Sequence, residues 1–162
     1  MLKILIADDN ESLRTALREV LSRQPGWTVC GEATNGRSAV SMALELKPDV
    51  IILDFLMPLM NGLAAAAEIS KGAPQLPIVL YTMHMSAQLE REAKKVGIKK
   101  VISKTDRFDD FISNLVEIVS AGDPPLGPLG LSNNYTEGET PSDPATNPDS
   151  QPGESSKGRP RS

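Results

Sequence analysis

The chain has 162 residues, of which 40% are hydrophobic, and a formal net charge of −4. This supports one domain of ordinary size with a real core, and the small charge argues against bulk electrostatic binding to nucleic acid or to an anionic membrane. The single cysteine, Cys30, excludes an intrachain disulfide and fits a reducing compartment. No apolar run is as long as a signal-peptide core or a bilayer span, so we expect a cytoplasmic protein.

The composition changes sharply near Gly122. Residues 123–162 hold eight of the thirteen prolines and few apolar side chains, too few to offset the entropy of ordering this segment. Residues 1–122 carry 14 basic and 15 acidic side chains, and residues 123–162 carry 3 and 6. We therefore predict a globular domain over 1–122 and a disordered, acidic C-terminal tail over 123–162.

Patterns typical of strands and helices alternate along residues 1–122. The predicted strands cover 2–7, 27–33, 50–53, 78–81 and 100–102, and the predicted helices cover 13–21, 36–46, 63–71, 87–96 and 108–122. Ser12 is the predicted N-cap of the first helix. The last helix is predicted to bury one face, made of Phe108, Phe111, Ile112, Leu115, Ile118 and Val119. Five β-α units predict an α/β fold, a doubly wound parallel sheet with helices on both faces and right-handed crossovers.

Polar side chains follow four of the five predicted strands. Asp8 and Asp9 follow the first strand, Asp54 the third, Thr82 the fourth and Lys104 the fifth. The carboxyl ends of parallel strands share one edge of the sheet, where such folds bind ligands. We therefore expect these five side chains to converge.

Three converging carboxylates repel one another, so without a cation at least one of their pKa values should rise. Mg²⁺, a hard cation that takes oxygen ligands and works with phosphate, relieves the repulsion. Three carboxylates, one Mg²⁺ and Lys104 sum to zero charge, and the metal and lysine can balance a phosphoryl group added to Asp54. Since a positioned carboxylate is a competent phosphoryl acceptor, the pattern predicts magnesium-dependent phosphoryl transfer to Asp54.

Each residue also has a simpler interpretation when it is taken alone. Asp8, Asp9 and Asn10 could form a turn and a helix cap. Asp54 could be an ordinary loop residue, and Lys104 a solvated side chain. Their joint occurrence at strand ends, in this order, favours a site.

Four segments together resemble the receiver domain of bacterial two-component response regulators, the CheY-like proteins. They are ADDN at 7–10, LDFLMPLMNG at 53–62, YT at 81–82 and SKTD at 103–106. The resemblance covers residues 1–122 and implies a flavodoxin-like (βα)5 fold with strand order 2-1-3-4-5. In motif style the chain is most similar to receivers of the helix-turn-helix (NarL/LuxR-type) subfamily, although residues 123–162 do not resemble such an output domain.

The resemblance implies a role for each matching residue. Asp54 would be the phosphoacceptor, Thr82 the switch hydroxyl and Lys104 the partner of the phosphoryl group. The donor would be a sensor histidine kinase or a phosphotransfer protein. The chain would catalyse its own phosphotransfer and autodephosphorylation, and would not be an enzyme in the usual sense. Signalling would pass through phosphorylation-dependent contacts with an output protein or with a second copy of the chain.

The resemblance also implies a magnesium site. Asp9, Asp54 and the backbone carbonyl of Leu56 would bind Mg²⁺ directly, and Asp8 would act through water. Two positions depart from the family pattern. Val101 replaces the aromatic residue that often stands three positions before the lysine, and Thr105 replaces the proline that often follows it.

Two other functions compete with the receiver. The segment KGRPR at 157–161 resembles an AT-hook core, in which arginines enter the narrow minor groove of A/T-rich DNA. The alternative is therefore a DNA-binding transcriptional regulator that acts through this segment or through a partner. A magnesium-dependent hydrolase is the third hypothesis. Phosphatases with an aspartate nucleophile usually carry a second aspartate two residues later, where this chain has Leu56.

Overall fold

Strands and helices alternate throughout residues 1–121, the part of the chain that the computed structural model describes. The strands are β1 (Leu2–Ala7), β2 (Trp27–Ala33), β3 (Val50–Leu53), β4 (Ile78–Thr82) and β5 (Lys100–Ser103). The helices are α1 (Glu11–Ser22), α2 (Gly36–Leu46), α3 (Gly62–Gly72), α4 (Ala87–Lys95) and α5 (Phe108–Ser120). Within these residues no helix has both the length and the apolar character needed to cross a bilayer. The predicted tail over 123–162 lies outside the described residues.

The five strands form one parallel sheet in the order β2-β1-β3-β4-β5. This confirms the predicted doubly wound fold and its strand order. Strand β3 lies at the centre, and all four of its residues are buried, as its unbroken aliphatic run predicts for a strand that is covered on both faces.

Two apolar cores cover the two faces of the sheet. On one face, small side chains let α2 and α3 approach the strands closely, and α4 completes the layer; the helix residues are Ala39, Ala43, Ala65, Ala66, Ile69, Leu89 and Ala93. On the other face α1 and α5 contribute Leu17, Leu21, Phe111 and Leu115. The strands β1, β3 and β4 therefore lie between two apolar layers, and the edges of the sheet are where a site can form.

Helix α1 begins before its predicted cap. Asn10 is the N-cap: its backbone is extended, and its side-chain oxygen accepts a hydrogen bond from Leu13 N at 2.9 Å. Ser12 lies inside the first turn, so its prediction as the cap is wrong. Asparagine is as good a cap as serine. Asn10 is the cap because it lies three residues before the free amide of Leu13, which its side chain can reach.

The predicted apolar face of α5 is correct in its middle and wrong at its start. Phe111 and Leu115 are fully buried, whereas 39% of Phe108 is exposed. Helical side chains lean toward the N-terminus of their helix. Phe108 is the first residue of α5, and it lines a surface pocket with Val20, Arg23 and Gln24 near the end of α1.

Candidate functional site

The carboxyl ends of β1, β3, β4 and β5 lie along one edge of the sheet. Ala7 and Leu53, the last residues of β1 and β3, are paired, and Asp54 N donates a hydrogen bond to the Ala7 carbonyl at 2.9 Å. Thr82 and Ser103, the last residues of β4 and β5, are paired as well. Leu53 pairs with Leu80, so β4 and β5 run two residues further than β1 and β3. Because all four strands are parallel, the predicted residues still emerge at the same edge.

Asp8, Asp9 and Asp54 form a carboxylate cluster at this edge. One oxygen atom of each lies within 4.8 Å of the others. Asp8 and Asp54 are buried, with 2% and 7% of their surface exposed, and Asp9 is exposed. Desolvation by burial raises the pKa of Asp54, the neighbouring Asp8 carboxylate raises it further, and Lys104 opposes both. The predicted rise in pKa is confirmed, but burial contributes more than carboxylate repulsion does.

Lys104 bridges two of the three carboxylates. Its Nζ atom donates a hydrogen bond to Asp8 Oδ2 at 2.6 Å and lies 3.2 Å from Asp54 Oδ1. Only 11% of the lysine side chain is exposed. A partly dehydrated ion pair of this kind is much less screened than a surface pair, so Lys104 fixes the relative position of the two acids.

The triplet Asp8-Asp9-Asn10 contributes both to a helix cap and to the carboxylate cluster. Asn10 caps α1, as the simpler interpretation requires. Asp8 instead belongs to the cluster: its Oδ1 accepts from Asn10 N at 2.8 Å, and its Oδ2 accepts from Lys104. With both oxygens engaged, Asp8 is rigidly oriented toward the cluster.

Asp54 and Thr82 each have a fixed hydrogen-bond partner. Asp54 Oδ1 accepts from Phe55 N at 2.8 Å. Thr82 is fully buried, and its hydroxyl oxygen accepts from His84 N at 3.1 Å. A hydroxyl that accepts through its oxygen still has its own hydrogen to donate. Leu56, two residues after Asp54, has 53% of its surface exposed.

Val101, which stands in place of the usual aromatic residue, is partly buried against the core beneath α2, α3 and α4. The aromatic pair of this domain, Tyr81 and Phe111, belongs to the opposite core, with ring centroids 4.6 Å apart. Since position 101 has no ring to rotate, any conformational switch coupled to Thr82 has to use other side chains.

Gly62 allows α3 to approach the end of β3. Its amide donates to the Phe55 carbonyl at 2.8 Å. A Cβ atom at Gly62 would lie 2.3 Å from the Asp54 carbonyl oxygen, which is backbone and cannot turn aside. Asp54 can therefore keep its present backbone position only if residue 62 is glycine.

We expect Gly62→Ala to lower the free energy of unfolding by about 1–3 kcal/mol, the usual penalty for overpacking, and to displace Asp54. Gly72→Ala is the matched control in the same helix. There the added Cβ meets the Cδ2 atom of Leu44 at 2.7 Å, the end of a flexible side chain that is 42% exposed. Urea unfolding of both variants measures the difference. Equal losses of stability would contradict the role of Gly62.

The carboxylate cluster fits a hard divalent cation. It is the one group of three metal-ligating side chains with this spacing within residues 1–121, and all its ligands are oxygen atoms, as Mg²⁺ prefers. Burial has raised the pKa of Asp54 even though Lys104 is close by, so a second positive charge would stabilise its ionised form. The residues present therefore suit Mg²⁺.

The pKa of Asp54 has a consequence for stability when no metal is bound. Between pH 3.8, the ordinary pKa of an aspartate, and the raised pKa of folded Asp54, the folded chain binds more protons at Asp54 than the unfolded chain does. The free energy of unfolding therefore falls as the pH rises through this range. We expect Asp54→Asn, measured with a chelator at about pH 7, to melt above the wild type, and the gap to close toward about pH 4. Mg²⁺ should narrow or reverse the gap, since it stabilises the wild type by mass action. A lower melting temperature for the metal-free variant at neutral pH would contradict this account.

The sequence did not reveal a charged network beside the turn that carries Asp8 and Asp9. Arg14 Nη1 donates to the Asp8 carbonyl oxygen at 2.8 Å, and Arg14 Nε donates to Glu32 Oε1 at 3.1 Å. Arg18 forms a second ion pair with Glu32. These residues lie on α1 and β2, and no spacing rule connects a helix to a strand 18 positions away. The one signal in the sequence was Arg14, a long, positively charged side chain near the start of the helix that follows Asp8.

Comparison with known proteins finds matches to both the sequence and the fold of this chain. The sequence profile of the response regulator receiver domain matches residues 4–116. Response regulator protein VraR of Staphylococcus epidermidis is 36% identical over 110 residues, which cover 68% of this chain and 53% of VraR. The chain thus spans about half the length of the curated relatives it matches.

Solved structures show the same fold. The response regulator domain of Thermotoga maritima CheB has a TM-score of 0.67 and 31% identity, with 75% of this chain and 96% of that chain covered. A LuxR-family two-component response regulator from Aurantimonas has a TM-score of 0.71 and 24% identity, with 74% and 85% covered. Both structures agree with the fold described above.

Proposed function

We propose that this chain, which belongs to the response regulator receiver domain family, accepts a phosphoryl group on Asp54 from a sensor histidine kinase or a phosphotransfer protein. The modified chain then signals through contacts that depend on the phosphoryl group. The observation that carries the proposal is the grouping of Asp54 with Lys104, Asp8 and Asp9 where the central strand ends.

The two oxygens of Asp54 have different surroundings. Oδ1 accepts a hydrogen bond from Phe55 N and lies 3.2 Å from the Lys104 ammonium. Within residues 1–121, Oδ2 accepts no hydrogen bond. We therefore assign Oδ2 as the nucleophile, since its lone pairs are not engaged with the protein.

The proposed reaction is an in-line displacement at phosphorus. Asp54 Oδ2 forms the new O–P bond while the N–P bond of the donor phosphohistidine breaks. The imidazole leaves with the electron pair of that bond and takes up a proton from water. Lys104 balances the negative charge of the phosphoryl oxygens, and the Thr82 hydroxyl donates a hydrogen bond to one of them.

Mg²⁺ would be held by Asp9, Asp54 and the backbone carbonyl of Leu56, with Asp8 acting through water. When bound, the metal would supply positive charge that neutralises the carboxylates and the phosphoryl oxygens. The protein itself supplies the orientation, because Lys104 and Asn10 N fix Asp8 and Phe55 N fixes Asp54.

The chain acts on itself, since it would catalyse transfer to its own Asp54 and later the hydrolysis of the same acyl phosphate. It is therefore a phosphoacceptor and not an enzyme that turns over a second substrate. The output would be a contact with another protein or a phosphorylation-dependent homodimer, which size-exclusion chromatography with and without phosphodonor would detect.

DNA binding is the second candidate, favoured by the similarity to VraR and to the LuxR-type receivers. It would act through a partner or through KGRPR at 157–161, which lies outside the described residues. Salt-dependent binding to A/T-rich DNA that is lost on deletion of 157–162 would support it.

Chemical trapping tests the acceptor assignment. Borohydride reduces an acyl phosphate to an alcohol, so treatment after phosphorylation should convert Asp54 to homoserine. Trypsin releases residues 38–71 as one peptide, because Lys47 is followed by proline, and this peptide also contains Asp49 as an internal control. Fragmentation should place homoserine at 54 and leave Asp49 unchanged. Homoserine at 49, or at 8 or 9 in the peptide 4–14, would contradict the assignment.

A further inference from the structure

We propose that Arg14 is a positioning residue that holds the turn between β1 and α1 in its metal-binding geometry, through the backbone carbonyl of Asp8. This inference rests on the proposed function, because the turn carries two of the predicted magnesium ligands. Arg14 is not assigned any contact with the metal or the phosphoryl group.

The guanidinium of Arg14 connects two elements of the fold. Nη1 donates to the Asp8 carbonyl oxygen at 2.8 Å, and Nε donates to Glu32 Oε1 at 3.1 Å. Only 13% of the Arg14 side chain is exposed. Because a guanidinium is planar and its donors point in fixed directions, this side chain ties the end of β2 to the turn after β1.

The carbonyl that Arg14 holds belongs to the peptide group between Asp8 and Asp9. A peptide group is planar, so a hydrogen bond to its oxygen restrains the orientation of both residues. The Asp8 side chain has two further restraints, from Asn10 N and Lys104. Asp9 is exposed and depends more on its backbone for its position. Arg14 therefore has its largest effect on Asp9, the acid that the family resemblance assigns to direct metal binding.

Arg18 offers a matched control. It lies one turn further along α1 and also pairs with Glu32, but it is more exposed, with 46% of its side chain accessible. Within residues 1–121, Arg14 is the arginine of this pair that contacts Asp8. Comparing the two arginines separates the loss of a Glu32 ion pair from the loss of the hydrogen bond to the Asp8 carbonyl.

Calorimetric titration with Mg²⁺ tests the proposal on the full chain without phosphodonor. We expect Arg14→Met to weaken Mg²⁺ binding by about 10-fold or more, as removal of outer-shell partners usually does. Arg18→Met should bind Mg²⁺ nearly as the wild type does. Arg14→Lys keeps the charge and can pair with Glu32, but its single ammonium cannot serve both acceptors in the guanidinium geometry. It should keep a melting temperature near that of the wild type and still bind Mg²⁺ more weakly.

Melting temperatures without metal are measured beside each titration, so that a folding defect is recognised. If Arg14→Met does not fold, Arg14→Lys decides the question. Equal Mg²⁺ affinity in Arg14→Lys and the wild type, or equal weakening in the Arg14 and Arg18 variants, would overturn the positioning role and leave the proposed function intact. A wild-type chain that binds no Mg²⁺ would instead contradict the magnesium-dependent function, and the positioning role with it.

Discussion

Lys104→Met is expected to slow phosphoryl transfer from acetyl phosphate to Asp54 by roughly 100-fold or more, the usual loss when one preorganised charge partner of a transition state is removed. The Lys104 ammonium lies 2.6 Å from Asp8 Oδ2 and 3.2 Å from Asp54 Oδ1, where negative charge increases as the phosphoryl group arrives. Methionine keeps much of the length of the side chain and removes the charge. The initial rate at saturating Mg²⁺ is the quantity to measure.

Lys100→Met is the matched control for this variant. Lys100 is the first residue of β5, the strand that Lys104 follows. It is 42% exposed and pairs with Glu117 at 3.6 Å on the surface, so its loss should leave the rate unchanged. Mg²⁺ affinity should not fall in the Lys104 variant, because the lysine competes with the metal for the same carboxylates. A rate close to that of the wild type, or a loss that higher Mg²⁺ concentrations restore, would contradict the role given to Lys104.

Phe111→Ala is expected to lower the free energy of unfolding by about 3–5 kcal/mol, the range for a buried phenylalanine truncated to alanine. Phe111 has no exposed surface and packs against Tyr81, with ring centroids 4.6 Å apart. Its removal would leave a cavity in the core that α1 and α5 share. Such a loss is a large part of the stability of an ordinary domain.

Phe108→Ala makes the same chemical change three residues earlier in the same helix. Phe108 is 39% exposed, so we expect a loss of about 1 kcal/mol or less. Urea denaturation gives both values, and a similar slope for the two variants confirms that they unfold from comparable states. Comparable losses at 108 and 111 would contradict the burial pattern of α5.

Most of the fold could be predicted because its signals are local and repeat. The unbroken aliphatic run of β3 identifies a strand that is buried on both faces, and the alternation of strands with helices leaves few topologies. The convergence of Asp8, Asp54 and Lys104 could be predicted too, since parallel strands of one sheet end at the same edge. These conclusions needed no knowledge of how individual side chains pack.

Other features depend on tertiary contacts that the sequence does not display. Asn10 rather than Ser12 caps α1, because the cap is decided by which side chain reaches a free amide. Phe108 has the spacing of a core residue but lies in a surface pocket at the start of α5, where 39% of it is exposed. The contacts of Arg14 with Glu32 and Asp8 join separate elements at sequence separations of 18 and 6 residues. The hydrophobic periodicity of the sequence does not predict such contacts.

The measurement that tests the central claim most directly is the intact mass of the full chain after incubation with Mg²⁺ and acetyl phosphate, beside Asp54→Asn. We predict that the wild type gains the mass of one phosphoryl group, that a chelator prevents the gain, and that the variant gains nothing. A phosphoryl group that appears equally on Asp54→Asn would show that another residue is the acceptor. A wild-type chain that binds Mg²⁺ and stays unmodified with every small phosphodonor and with phosphohistidine proteins would contradict the account as a whole.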